Sequence, residues 1–280
     1  MASANNLDIS AYGDDGDAVA ILPNGDEAVV SEDTSNNLLI VSGLLSGSPV
    51  VASTITVPSN RDGLVISNDG TVLLARGPSG LTVFSVAPIT PVAGSIGGNV
   101  SNSYTQVVDL PALGSNGDIE DGREGMAISP KDSSRAVVVS PDAVTIQLVT
   151  GLTTTPVVGT AVQMPSGVYP QAVSITPDGK LAIVGTYNGG LLMYSGVDTG
   201  TLAQVGTTAY APTYTLSGNS VTLGDITTLG ITLDGKYVVA GDQSNGALVV
   251  IPFTSAGFAA VPASVLGSVA IPDNDQLLIH

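Results

Sequence analysis

Cysteine is missing from the 280 residues, and histidine occurs once, as His280 at the very end. Disulfides, thiolate chemistry and cysteine-ligated zinc are thereby excluded. So are Ser-His-Asp and Cys-His arrangements and any multi-histidine metal site. Tryptophan is absent, and aromatic residues make up only 4% of the chain, so a core must be filled by Val, Ile, Leu and Ala. Positive charge is scarce as well. Seven Lys plus Arg face 24 Asp plus Glu, for a formal charge of −17. A phosphate backbone or an anionic membrane surface would be repelled, which argues against nucleic acid or a membrane as partner. No apolar run approaches the ~20 residues of a membrane span, and no signal peptide is recognisable. Met1-Ala2-Ser3 reads as an added start in front of a mature segment. A cysteine-free, lysine-poor chain rich in Thr, Ser and Gly suits an exported or cell-surface protein, either periplasmic or secreted.

What is abundant is short apolar runs separated by turns. Residues 170–196, PQAVSITPDGKLAIVGTYNGGLLMYSG, hold three such runs, bounded by Pro-Asp-Gly-Lys and Asn-Gly-Gly. This reads as three antiparallel strands joined by tight turns. The unit recurs. It begins at Asp17 (AVAIL, EAVVSE, NLLIVSG, then VVASTITVP), at Asp62 (GLVIS, TVLLARG, LTVFSVA, then TQVVDLP) and at Glu124 (GMAIS, RAVVVS, VTIQLV, then AVQMP). The central unit takes TYTLS at 213–217 as its fourth run. A fifth unit follows with LGITL, YVVAGD, ALVVIPF and GFAAVP. Four strands per unit is the blade of a β-propeller. Isoleucines 21, 66, 128, 175, 231 and 271 mark the repeat, at spacings of 45, 62, 47, 56 and 40 residues. Blades of ~40–50 residues with insertions have this spacing.

The expected architecture is all-β, a single domain over residues 1–280 with six four-stranded blades. The last blade is closed by both termini. Residues 4–15 supply a third strand, and 259–280 supply the first two. Five blades plus a tail is the alternative. No stretch sustains a 3.6-residue period, so no long α-helix is expected.

The motif AVSITPDGKLAIVGTYNGGLLMYS resembles the repeats of YVTN-type propellers, the surface-layer and lactonase-like proteins. Related turns stand at 22–26, 67–70, 129–132 and 233–236. The resemblance implies a propeller and little about function. The Tyr-Val-Thr-Asn signature is absent, as are the Arg and His residues of lactonase-like members at matching places. Asp-Gly in these turns has a conformational role, so Asp69, Asp178 and Asp234 carry no catalytic meaning.

Aligning the repeats on the isoleucines places Asp17, Asp62, Glu124, Gln171, Thr227 and Gly267 at one equivalent position. In a propeller this position opens the innermost strand, at a channel mouth. Oxygen ligands from several blades suit Ca²⁺, which takes six to eight. A water-filled polar channel is the other reading of Asp17, Asp62, Glu124 and Gln171. Loops on the same face bring Glu32, Asp33, Arg61, Arg76, Arg123, Tyr187, Asn188, Asp242 and Asn245, a set suited to sugar or peptide binding. Arg61 and Arg123 occupy matching places beside acids, as structural ion pairs or as clamps for an anionic group. The acidic clusters around residues 14–17 and 118–124 match no calcium-loop pattern.

No nucleophile–base pair is found, so no catalytic residue is assigned. The reading this favours is a monomeric, non-enzymatic binding module for a protein or carbohydrate ligand. A divalent-metal-dependent hydrolase of lactonase or phosphoesterase type is one alternative, with Asp17, Asp62 and Glu124 as ligands or base. A structural surface-layer or adhesin element is the other.

Overall fold

Second strands of the repeat are apolar without alternation, which is what a strand covered on both faces requires. In the computed structural model these strands lie inside four-stranded antiparallel meanders whose fourth strand faces solvent. The structure describes residues 7–13, 16–32, 35–59, 61–88, 102–110, 113, 125–187, 190–258 and 264–268. The chain forms two compact units, residues 1–112 and 113–280.

Unit 1 holds two sheets. The first is β1 (Gly16–Ile21), β2 (Glu27–Glu32), β3 (Asn37–Ser42) and β4 (Val50–Thr56). The second is β5 (Gly63–Ile66), β6 (Val72–Gly77), β7 (Gly80–Ala87) and β8 (Ser103–Leu110). β1 stands beside β5, and Val29, Leu38, Ile40, Leu64, Leu73 and Phe84 fill the layer between the sheets. Burying each such side chain contributes roughly 1.5–3 kcal/mol.

Unit 2 repeats the plan three times. Its sheets are β9 (Met126–Ile128), β10 (Arg135–Ser140), β11 (Thr145–Thr150), β12 (Val157–Val158) and β13 (Val162–Gln163); then β14 (Tyr169–Ile175), β15 (Leu181–Tyr187), β16 (Gly190–Ser195) and β17 (Ala203–Tyr210). After a separate hairpin, β18 (Thr213–Leu216) with β19 (Asn219–Thr222), come β20 (Ile226–Ile231), β21 (Tyr237–Asp242), β22 (Ala247–Thr254), β23 (Gly257–Phe258) and β24 (Ser264–Ser268). First strands again stand side by side, β9 by β14 and β14 by β20. Two aliphatic layers fill the gaps between successive sheets.

Four expectations need correction. TYTLS is not a fourth strand: Ala203–Tyr210 takes that place, and Thr213–Thr222 folds back on itself through Ser217 and Gly218, both at positive φ. AVQMP is only part of a fourth strand, which is broken into β12 and β13, both on β11. VLGS does not open a new blade. β22 is eight residues long, β23 covers only its Phe253–Thr254 end, and β24 pairs with the remaining edge from Ala247 to Val250. Residues 7–13 contain a turn, with Tyr12 N donating to Ile9 O (2.9 Å), where a strand was expected. The proposed sheet of both termini otherwise lies outside the described residues, as does Ile271.

Candidate functional site

Three of the five turns between first and second strands are built from one device. In Ser67-Asn68-Asp69-Gly70, Thr176-Pro177-Asp178-Gly179 and Thr232-Leu233-Asp234-Gly235 the hydroxyl donates to the Asp carboxylate at 2.6, 2.6 and 2.7 Å. The same hydroxyl accepts the N–H that opens the next strand, from Val72, Leu181 or Tyr237. Gly70, Gly179 and Gly235 sit at φ near +70°, where a side chain would be strained. These aspartates are engaged by the turn.

At the opposite ends of the first strands the isoleucine alignment meets a recurring irregularity. The register slips between Gly16 and Val19 in β1, between Pro170 and Ala172 in β14, and between Ile226 and Thr228 in β20. Asp17, Gln171 and Thr227 are therefore bulge residues. A bulge re-aims the side chain it carries. Gln171 and Thr227 are buried, at 7% and 2% exposure, on strands that stand side by side. Gln171 Oε1 and Thr227 Oγ1 have no hydrogen-bond partner among the described residues. Buried polar atoms of this kind are normally satisfied, by protein, water or ligand. Beside Gln171, Tyr169 is register-paired with Tyr187, and both are exposed, at 47% and 45%. Tyr169 is missing from the sequence-derived face because nothing before residue 170 marks the strand as starting there.

The other predicted residues are placed as follows. In unit 1, Asp17 is exposed and its bulge is stitched by Ser31, whose hydroxyl accepts from Ala18 N (2.9 Å). Asp62 is half-buried and donates its N–H to Arg76 O (2.8 Å). Glu32 and Arg76 are fully buried and so do not line an open face. The chain at Gly13 passes close to the Glu32 carboxylate, which a larger residue there would have to displace. Arg61 is also buried. Its donors reach Ser59, Ser79, Thr82 and Asp109 Oδ1, the last at 3.0 Å. Five N–H bonds exhaust a guanidinium. Arg61 thus serves as a structural clamp. Burial lowers its pKa, opposed by Asp109 and Asp62.

In unit 2, Asp242 is fully buried and accepts from Tyr214 Oη (2.9 Å), Asn245 Nδ2 (2.9 Å), Asn245 N (3.2 Å) and Gly224 N (3.2 Å). Asn245 Nδ2 also donates to Thr222 O (3.0 Å). The two side chains pin the β18–β19 hairpin and the approach to Thr227. Burial, with the bond to Asp242, drives the Tyr214 phenol well above its ordinary range. Asp33, Arg123, Glu124 and Asn188 lie outside the described residues, as do Asp14, Asp15 and the acidic cluster at 118–124. Among the described residues no group of three or more His, Asp or Glu is placed to hold a metal ion. No described helix is long and apolar enough to cross a membrane.

No protein-family model matches the sequence, and no curated protein does. Solved structures do resemble it. A protein of Bacteroides uniformis assigned as a 6-phosphogluconolactonase superimposes with a TM-score of 0.63 at 14% identity, over 93% of this chain and 74% of that one. A periplasmic gluconolactonase of Pseudomonas aeruginosa gives 0.61 at 14% identity, over 94% and 72%. The β-propeller domain of Cps50 from Myceliophteria thermophila gives 0.56 at 15% identity, over 89% and 69%. At such identities the likeness concerns the fold, and the fold is a β-propeller, akin to lactonase-like propellers and unassigned to any one family.

Proposed function

We propose that this chain is a non-enzymatic binding module of an exported or cell-surface protein, and that it takes a carbohydrate at the open ends of β14, β15 and β20. The observation that carries this reading is the pair of buried, uncharged acceptors, Gln171 Oε1 and Thr227 Oγ1, on neighbouring bulges. Neutral hydrogen-bonding atoms suit hydroxyl groups and offer no general acid or base. Tyr169 and Tyr187 add flat, amphipathic surface of the kind that packs on a sugar ring. An extracytoplasmic location is supported by the lack of cysteine and by the likeness to a periplasmic protein. The test is a glycan array followed by calorimetry on the best hit. Gln171→Leu and Tyr187→Ala should each weaken binding about tenfold. Binding of peptides and not glycans, or glycan affinity indifferent to both changes, would overturn the reading.

One observation favours a second reading, hydrolysis of a lactone: the fold is shared with gluconolactonases. There a cation such as Ca²⁺ would polarise the carbonyl and activate water. Hydrolysis of gluconolactone above the spontaneous rate, dependent on added calcium, would favour this reading over the first.

A further inference from the structure

The third repeat departs from the turn device in one place. Where the second, fourth and fifth repeats have Asp two residues after the hydroxyl, Ser129-Pro130-Lys131-Asp132 has lysine. The turn is one residue longer, and the acid moves on to Asp132. There it accepts from Ser134 N (3.0 Å), Ser134 Oγ (2.6 Å) and Arg135 Nε (2.9 Å). Ser129 thereby loses the partner that Ser67, Thr176 and Thr232 keep. It is 1% exposed, and its Oγ has no hydrogen-bond partner among the described residues. That hydroxyl faces the neighbouring turn: a Cβ on Gly179 would lie 2.9 Å from Ser129 Oγ and 3.2 Å from Lys131 Cβ.

Between the two turns lies a cleft of about 220 Å³, lined by Ser129, Lys131, Arg135, Asp178, Lys180 and Asp198 among others. Three of the seven cations of the chain stand here. Arg135 is occupied, by Asp132 and by Val197 O (2.8 Å). The lysines are less committed. Lys180 Nζ lies 3.9 Å from Asp178 on a side chain that is 60% exposed, and the exposed Lys131 acts on the same carboxylate, so two ammonium groups share one acid. Asp132 and Asp198 line the cleft as well; Asp132 is taken up by Ser134 and Arg135, so an incoming anion meets two exposed ammonium groups set against Asp178 and Asp198.

We propose that this cleft is a binding site for a phosphate-type oxyanion, held by Lys131 and Lys180, with the Ser129 hydroxyl as a neutral donor. Three donors from two turns match a tetrahedral group with several acceptor oxygens better than a planar carboxylate. The volume falls below the ~300–1,000 Å³ of drug-sized sites, so the cleft takes the phosphate group and leaves the remainder of a phosphorylated molecule outside. The site is independent of the carbohydrate reading, since Asp178 and Gln171 flank opposite ends of β14.

Calorimetry of the full chain with inorganic phosphate, at low and at physiological ionic strength, tests this. Saturable binding is expected, weakening with salt. Lys131→Asp, which returns the acid of the second, fourth and fifth repeats, should weaken it about tenfold or more while leaving thermal unfolding unchanged or raised. Lys180→Ala should act in the same direction, and Ser129→Ala should cost about threefold. Lys236→Ala, the equivalent of Lys180 one repeat on, should change nothing. Absence of saturable phosphate binding would overturn the proposal, as would binding that survives both lysine changes. Acetate binding as tightly as phosphate would overturn the choice of a tetrahedral ligand.

Discussion

At the scale of single residues, the polar side chains divide by whether the fold has already used them. Arg61 is used: it ties the approach to β5 to β7 and β8 through Thr82 and Asp109. Replacing it by Ala leaves Asp109 with the Thr82 hydroxyl (2.8 Å) beside a new void. Because Asp109 keeps about a quarter of its surface in water, the expected loss is near the lower end of the ~3–5 kcal/mol for a broken buried pair, measurable by urea unfolding. Tyr194 is the opposite case. It is fully buried, its hydroxyl has no partner among the described residues, and burial pushes its pKa up to about 12. Tyr194→Phe removes a desolvated group that forms no bond, so stability should hold or rise by about 1 kcal/mol. A loss of more than that would show that the phenol is bonded. The turn aspartates set the acid limit. The Asp132 carboxyl is held below its ordinary range, chiefly by the Ser134 hydroxyl, with burial opposing and Arg135 helping. For Asp178, burial works upward, but Thr176 and the Lys180 N–H carry the net shift downward. A depressed carboxylate contributes stability that is full above its unfolded pKa, near ~4, and is lost as pH falls through the folded value. Unfolding curves from about pH 7 to about pH 3 should therefore stay level in these contributions until roughly pH 4 and then fall. Thr176→Val should lower stability at neutral pH and shrink the Asp178 share of that fall.

At the scale of strands and hairpins, most of the repeat was legible. Runs such as EAVVSE, TVLLARG and LAIVGTY are uninterrupted because sheets cover both their faces, and the Asp-Gly turns declare where they reverse. Fourth strands were harder. They lie at the outer rim, carry Thr and Ser on exposed faces, and are specified only by the edge they find; hence the broken pair β12 and β13 and the late arrival of β24. The β18–β19 hairpin was hidden because TYTLS alternates like any half-covered strand. Its place depends on Asp242, whose role as an internal acceptor for Tyr214 and Asn245 no spacing in the chain announces. Tyr214→Phe removes one donor from this carboxylate. It should cost about 1–3 kcal/mol and speed hydrogen exchange in residues 213–222 ahead of the strands of the sheets. Equal exchange in both proteins would show the hairpin to be held by other contacts.

At the scale of the whole molecule, fold class was readable and the site was only partly so. The recurring isoleucines located a recurring register position, since Asp17, Gln171 and Thr227 are all bulge residues, yet the same alignment could not tell an exposed Asp17 from a buried Gln171. Exposure depends on the neighbouring sheet, and a repeat read one unit at a time does not contain it. Sheet-to-sheet approach is also where the assembly of unit 2 is most exacting. Gly185 in β15 faces β20 so closely that an added Cβ would sit 2.5 Å from Ile226 Cγ2 and 3.1 Å from Ile226 O. The backbone oxygen cannot move without shifting β20, and Thr227 is the next residue along. Gly185→Ala should therefore destabilise the chain by ~1–3 kcal/mol, as overpacking of a full core does. It should also weaken ligand binding at the Gln171–Thr227 end while leaving phosphate affinity at the Ser129 cleft unchanged. Measuring both affinities on one preparation separates a displaced bulge from general unfolding, because unfolding would reduce the two together.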